Sequence, residues 1–294
     1  MKAVSCDNLS KKYNSVNILN SVKLQIDKNK MIGLIGRNGA GKTTLLKLIA
    51  GYLRPTEGDV KVFGEASFNN MNILSDLIYI GEELPYDKFM KLKDILEIGS
   101  RFYHNWASEK ANKLLRRFNI DKDLKYGNLS RGMKTQFNLI YGLTAGAGIT
   151  ILDELTLGLD IAARRILYDV VLNEYIDYPR TIIISGQLIN EMENLLEEII
   201  FLHKGEILLH KSTDEVQEYA VYLEGRREDI NEAVQSRHII YMEEFGSAVK
   251  AVIENNLTEH EISALIVKGI AINKVALEDL FIYLTKDMER GEEK

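Results

Sequence analysis

The sequence predicts an α/β fold. It has a mixed sheet core, an antiparallel β subdomain near the N-terminus, a helical insert, and a small α+β appendage at the C-terminal end. Three observations carry this expectation. Short, largely apolar and β-rich runs such as residues 31–35 and 149–152 look like strands buried on both faces. Amphipathic helical stretches alternate with them, as a parallel sheet requires. Polar-faced helical periodicity from about residue 91 to 119 interrupts that alternation.

Taken in chain order, residues 3–9 and 18–26 alternate apolar and polar side chains, which suits an antiparallel sheet with one wet face. The run Met31-Ile32-Gly33-Leu34-Ile35 is a buried strand that leads into glycines. A helix is expected over 42–50, with Leu45, Leu46 and Ile49 on one face and Gly51 as its stop. The helical insert spans about 88–142, first through Leu92, Ile95, Leu96 and Ile98, then through Leu114, Leu115 and Phe118. Its second long helix starts after Leu129-Ser130, with Ser130 as the N-cap. Strands return at 149–152 and 181–184, separated by an amphipathic stretch over 161–175. A hairpin follows at 199–202 and 207–210, turning at Lys204-Gly205. Residues 219–223, a helix near 229–235, a strand at 239–242 and two terminal helices complete the chain. The expected domains are 1–213 and an accessory or dimerisation domain over 214–294, whose charged tail from Asp287 is expected to fray.

The chain has 294 residues, 46% hydrophobic and 27% charged, which suits one large domain plus a small one. The net charge of −6 lacks the basic excess of a nucleic-acid binder, so no nucleic-acid partner is expected. A single cysteine, Cys6, excludes an internal disulfide, and His238, Tyr241 and His260 have no companion at metal-ligand spacing. The segment Met1–Asp7 is too polar for a signal peptide. No apolar run approaches the ~18 residues of a bilayer-spanning helix. A cytoplasmic protein is expected, one that works at a membrane only through a partner.

Gly36-Arg37-Asn38-Gly39-Ala40-Gly41-Lys42-Thr43, followed by Thr44, fits the P-loop pattern G-x-x-x-x-G-K-[ST] between a buried strand and a helix. Its glycines allow backbone conformations closed to other residues, so the N–H groups can turn toward phosphate oxygens. The helix end adds about half a positive charge. Lys42 is placed to bridge the β- and γ-phosphates of ATP, and the Thr43 hydroxyl to ligate Mg²⁺. The strand Ile149-Thr150-Ile151-Leu152 ends in Asp153-Glu154. Asp153 is placed to hold Mg²⁺ through water, and Glu154 to act as general base on an attacking water.

Leu129-Ser130-Arg131-Gly132-Met133, at the start of a helix and just before that acidic strand, resembles the signature Leu-Ser-Gly-Gly-Gln of the ATP-binding subunits of ABC transporters. Leu157-Gly158-Leu159-Asp160 resembles that family's D-loop, and Tyr13 its adenine-stacking aromatic. The resemblance covers about residues 2–215 and implies the P-loop NTPase fold of ABC ATPases, with ATP and Mg²⁺ as cofactors. It implies a head-to-tail dimer, a homodimer or a pair with a paralogous subunit. There Ser130 and Gly132 of one subunit approach the γ-phosphate held by the other's P-loop. It further implies docking, through the helical insert and the Glu82 loop, onto an integral-membrane permease encoded separately. The subunit would then be peripheral on the inner face of the cell membrane. Val275-Ala276-Leu277-Glu278-Asp279-Leu280-Phe281 resembles the closing helix of drug- and peptide-exporter ATPases, which implies export.

Four places depart from the family pattern. Glu82 stands where a glutamine ligates Mg²⁺ and the attacking water. Gln187 stands for the switch histidine. Arg131 and Met133 replace the signature's first glycine and its glutamine, and Leu155 replaces a common proline. Arg131 either reaches phosphate across the dimer or is a solvated surface side chain. Two other readings stand beside the transporter motor. One is a soluble ABC ATPase of ribosomes or repair complexes, which would carry two cassettes or a long coiled-coil insert. The other is an ATP-binding subunit with little hydrolysis. P-loop kinases and GTPases lack the serine-capped signature. A glutamine amide at 187 can donate a hydrogen bond to phosphate but cannot carry charge or shuttle a proton. Gln187→His is therefore expected to raise the rate of ATP hydrolysis, measured as steady-state phosphate release; an unchanged or lower rate would refute the assignment.

Overall fold

The computed structural model describes residues 1–156, 159–186 and 192–292. The chain divides into two compact units, Met1–Leu209 and His210–Lys294.

In the first unit, β1 (Lys2–Tyr13) and β2 (Val16–Asp27) form a long antiparallel pair. Val22, Leu24 and Ile26 of β2 are buried while Ser21, Lys23 and Gln25 are exposed, the one-sided pattern their alternation predicts. After β3 (Met31–Ile35) and α1 (Lys42–Ile49) come β4 (Glu57–Val62), β5 (Glu65–Ala66) and the short α2 (Met71–Leu74). β4 pairs with the free side of β1 and with β5, so the antiparallel sheet runs β2-β1-β4-β5.

The second sheet holds the core. Its later members are β6 (Leu77–Ile80), β7 (Ile149–Asp153), β8 (Thr181–Gly186), β9 (Glu198–His203) and β10 (Glu206–Ser212). Between β6 and β7 lie α3 (Leu92–Phe102), α4 (Ser108–Arg117) and α5 (Arg131–Thr144), and α6 (Ile161–Asp177) connects β7 to β8. The six-stranded order is β10-β9-β3-β8-β7-β6, with every pair from β9 to β6 parallel. β3 and β7 are buried along their whole lengths, which is why β3 reads as a continuous apolar run and β7 as one broken only by Thr150 before its terminal Asp153. The β9–β10 hairpin turns where expected, at Lys204 (φ 46°) and Gly205 (φ 81°), the left-handed pair that a two-residue hairpin loop requires.

The helical insert is α3 to α5. Ser130 caps α5, its hydroxyl accepting the Met133 N–H at 3.2 Å. Gly99 makes room for the aromatic packing of α3 on α5, since a Cβ there would come within 2.4 Å of the Trp106 ring. A buried ion cluster joins the insert to the sheet layer. Glu174 on α6 receives Lys110 of α4 and, at 3.0 Å, Arg180 Nη1; Arg180 Nε donates to Thr150 Oγ1 at 3.1 Å.

The second unit contains α7 (Thr213–Gln217), β11 (Ala220–Arg226), α8 (Arg227–Val234), β12 (Ile239–Phe245), β13 (Ala248–Glu254), α9 (Glu259–Val267), β14 (Ala271–Lys274) and α10 (Leu277–Glu292). The sheet order β12-β13-β11-β14, all antiparallel, is the split βαβ arrangement, with β13 inserted between the strands flanking α8. Its core includes Val221, Leu223, Ile230, Val249, Ala251 and Ile270. Two strands here correct the expectation of terminal helices alone. In β13, Val249, Val252 and Ile253 have helical spacing, and β14 is four residues long and largely exposed, so neither carries a strand signal. The last helix, α10, is assigned as far as Glu292.

The Lys110–Glu174–Arg180 cluster yields a stability prediction. Glu174 and Arg180 are 8% and 6% exposed, so Glu174→Ala leaves two cations uncompensated beside the sheet. The loss is expected to be about 3–5 kcal/mol, read from urea unfolding followed at Trp106, the sole tryptophan. A loss below about 1 kcal/mol would mean that the cluster behaves as a surface pair.

Candidate functional site

The loop from β3 to α1 is shaped by close backbone approaches. A Cβ on Gly36 would lie 2.6 Å from the Leu202 carbonyl oxygen of β9, so the chain can leave β3 along this path only without a side chain. Gly41 has φ 104° and begins α1 with no side-chain cap. The first-turn N–H groups of α1 are thus left to an external anion. The β9–β10 hairpin braces this loop, with Gly205 N–H donating to the Ala40 carbonyl at 3.0 Å and the Gly205 carbonyl accepting Asn20 N–H at 2.9 Å.

Lys42 is buried at the base of the loop. Its Nζ donates to the Gly36 and Arg37 carbonyls at 2.8 and 3.3 Å and lies 2.9 Å from Glu154 Oε1. All three ammonium protons therefore have acceptors. Glu154 sits immediately beyond β7 with φ 52°, a left-handed conformation unusual for a glutamate. Its N–H donates to Ser185 Oγ at 3.0 Å. The same Ser185 hydroxyl donates to Asp153 Oδ1 at 2.5 Å, and Tyr79 OH donates to Asp153 Oδ2 at 2.7 Å. The sheet order explains this convergence. β8 lies between β3 and β7, and its register sets Ser185 beside both Leu34 and Asp153. Burial and the neighbouring Asp153 charge push the Tyr79 phenol far above its ordinary value, so it remains a hydrogen-bond donor.

This donor set suits a magnesium ion. Asp153 accepts one hydrogen bond on each carboxylate oxygen, which leaves further lone pairs on both. Together with the exposed Thr43 hydroxyl it offers oxygen ligands only, leaving the other positions to phosphate oxygens and water, the shell Mg²⁺ prefers. The phosphate cradle fits too, because Gly39 (φ 81°) and Gly41 hold conformations a side chain would resist.

The remaining predicted residues fall into three groups. Arg37, Asn38 and Gly39 are exposed on the loop, Ala40 is buried and Thr44 half-buried. Tyr13 is 45% exposed, with the Lys11 ammonium 5.1 Å from its ring centre. Ser130 and Asp160 are exposed helix caps, Asp160 accepting Ala163 N–H at 2.7 Å, and the nearest neighbour of a Cβ on Gly132 would be Leu159, at 3.6 Å. Gln187, Leu157 and Gly158 lie outside the described residues. Glu82, expected as a metal ligand, has its carboxylate 3.1 Å from Arg131. With Glu154 and Leu155 they line one cleft. Sequence reasoning missed Tyr79 and Ser185 as the residues that hold Asp153. Their signal was positional, since each stands at or near the carboxyl end of a strand flanking the acidic one.

Comparison with known proteins agrees with this geometry. The family model described as ABC transporter matches residues 19–157. The ABC transporter ATP-binding protein YtrB of Bacillus subtilis is 28% identical over 278 residues, 93% of this chain and 95% of that protein. The lantibiotic transport ATP-binding protein SrtF of Streptococcus pyogenes is 32% identical over 211 residues, covering 70% of this chain and 90% of that one. Among solved structures, an ATP-binding subunit of an ABC transporter superposes with a TM-score of 0.67 at 24% identity, covering 73% of this chain and 92% of that one.

Ser185→Ala removes the hydroxyl that donates to the Asp153 carboxylate and accepts the Glu154 backbone N–H. Magnesium-dependent nucleotide turnover is expected to fall about 10- to 100-fold, with an unchanged circular dichroism spectrum. A wild-type rate would mean that Asp153 keeps its orientation unaided.

Proposed function

The chain belongs to the family of ABC transporter ATP-binding subunits, and from that membership we propose that it is the motor that powers export through a separate integral-membrane permease. The observation that carries the catalytic part is the convergence of Lys42, Asp153 and Glu154 at the carboxyl ends of two parallel strands. The P-loop, Gly36 to Thr44, binds the polyphosphate, and Tyr13 stacks on adenine. Thr43 and Asp153 hold Mg²⁺, which when bound offsets phosphate charge and orients the γ-phosphate. Phosphate oxygens compete with Glu154 for the Lys42 ammonium. Once released, the Glu154 carboxylate is free to take a proton from the attacking water.

A head-to-tail dimer, of two copies or with a paralogue, completes the site. Ser130 and Gly132 begin a well-capped helix whose N-terminus faces solvent, as a surface presented to a second subunit's phosphates should. Docking on a permease is supported by exposed apolar side chains around the insert, Phe89 at 66%, Ile98 at 42% and Phe102 at 40%. Among the described residues no helix is long and apolar enough to cross a membrane. The names of the transporter relatives support a peripheral location, at the inner face of the cell membrane. Lantibiotic transport, named for one relative, supports an antimicrobial peptide as the class of cargo.

The test is steady-state phosphate release from Mg²⁺-ATP by the wild type and Glu154→Gln. The wild type is expected to turn over, and the variant to bind ATP, stall and run as a dimer on gel filtration. Equal rates would remove Glu154 as the base. If both bind ATP and neither turns over, the alternative of an ATP-binding subunit with little hydrolysis, suggested by Gln187, takes its place.

A further inference from the structure

Two of the departures from the family pattern touch each other. Glu82, in the loop after β6, and Arg131, the first residue of α5, are 49 positions apart in sequence, yet Arg131 Nη2 lies 3.1 Å from Glu82 Oε1. One helical turn further, Lys134 Nζ meets Glu83 Oε1 at 2.7 Å. We propose that Arg131 is the positioning residue for Glu82. Its guanidinium holds and neutralises this carboxylate at the edge of the nucleotide cleft, so the glutamate is tolerated beside polyphosphate only while the arginine is present. This inference rests on the ATPase reading above.

The loop does not need the ion pairs to stay where it is. Asn138 of α5, fully buried, donates to the Glu82 carbonyl at 3.0 Å and accepts Tyr126 OH at 3.0 Å, while Tyr126 OH accepts Leu84 N–H at 3.0 Å. Neutral hydrogen bonds to the backbone thus fix the loop against α5. The ionic pair above them sets charge. It also adds little to folding, since the Arg131 and Glu82 side chains are 55% and 70% exposed and water screens such pairs.

The charge matters because of where it stands. Glu82, Glu83, Arg131 and Lys134 line the same cleft as Glu154, and Glu154 is 2.9 Å from Lys42. With Lys42 counted, three carboxylates face three cations there. Removing Arg131 alone leaves an excess of one negative charge, where ATP brings several more. Removing both members of the pair restores the balance. The prediction is therefore counter-intuitive: the single change toward the family residue is harmful, and the second such change relieves it.

The experiment measures Mg²⁺-ATP Kd, KM and kcat for the wild type, Arg131→Gly, Arg131→Lys and the double variant Glu82→Gln/Arg131→Gly. Each is assayed at about 0.1 M and about 1 M ionic strength, where the Debye length shrinks from about 10 to about 3 Å. Arg131→Gly is expected to raise KM about three- to fivefold, with a smaller effect on kcat and unchanged thermal stability. That deficit should shrink at high salt, be largely prevented by lysine at 131, and be mostly recovered in the double variant. A double variant as impaired as Arg131→Gly would overturn the proposal, because Arg131 would then act on nucleotide independently of Glu82. A single variant with wild-type KM would overturn it as well. A wild type that binds no Mg²⁺-ATP would instead sink the ATPase reading, and this inference with it.

Discussion

The Lys42 ammonium is the point on which the site depends. It is buried, so each of its three protons must find an oxygen inside the protein or on a ligand. Two come from carbonyls of its own loop and the third from Glu154, beyond a strand that is not adjacent to β3. This three-way coordination requires the P-loop to be bent back on itself. That bend requires Gly36 beneath the Leu202 carbonyl and the Gly205 turn that braces Ala40. It also requires β8 between β3 and β7, since Ser185 on β8 sets both acidic residues.

Around this centre, charge is used in two different ways. The Lys110–Glu174–Arg180 cluster is buried and joins the insert to α6 and the sheet. Separating such charges in a dry environment costs several kcal/mol, so this join is strong. The Glu82–Arg131 and Glu83–Lys134 pairs are solvent-exposed and weak as structural ties. Their effect is on the local field, felt by whatever anion occupies the cleft. One insert is thus held to one layer by a buried cluster and, at its other end, by neutral hydrogen bonds through Asn138, with ionic pairs laid over them.

The second unit has its own core and sheet, and α7 and α9 begin with strong local signals. Ser212–Glu215 and Thr258–Glu261 both form reciprocal capping boxes, in which side chain and backbone satisfy each other. Its split βαβ order places three antiparallel ladders among four short strands. The local pattern identifies β11, α8 and β12, whereas β13 and β14 exist because neighbouring strands accept their backbone groups.

The sequence by itself determined the elements whose signals are local. Strands buried on both faces are rich in apolar and β-branched residues, so β3, β7 and β8 were legible. The glycine-rich loop was legible because its backbone admits few other residues. Ser130 was legible because a helix start needs an acceptor for its free N–H groups. The roles expected of Lys42, Asp153 and Glu154 also followed from chemistry written in adjacent residues. Only the tertiary structure decided which distant groups meet. Strand order, a property of the whole sheet, brought Tyr79 and Ser185 to Asp153. The packing of α5 on the loop after β6 paired Glu82 with Arg131, two residues that had looked like separate losses. Contacts between residues far apart in sequence depend on register and packing, and neither leaves a periodic trace in the chain.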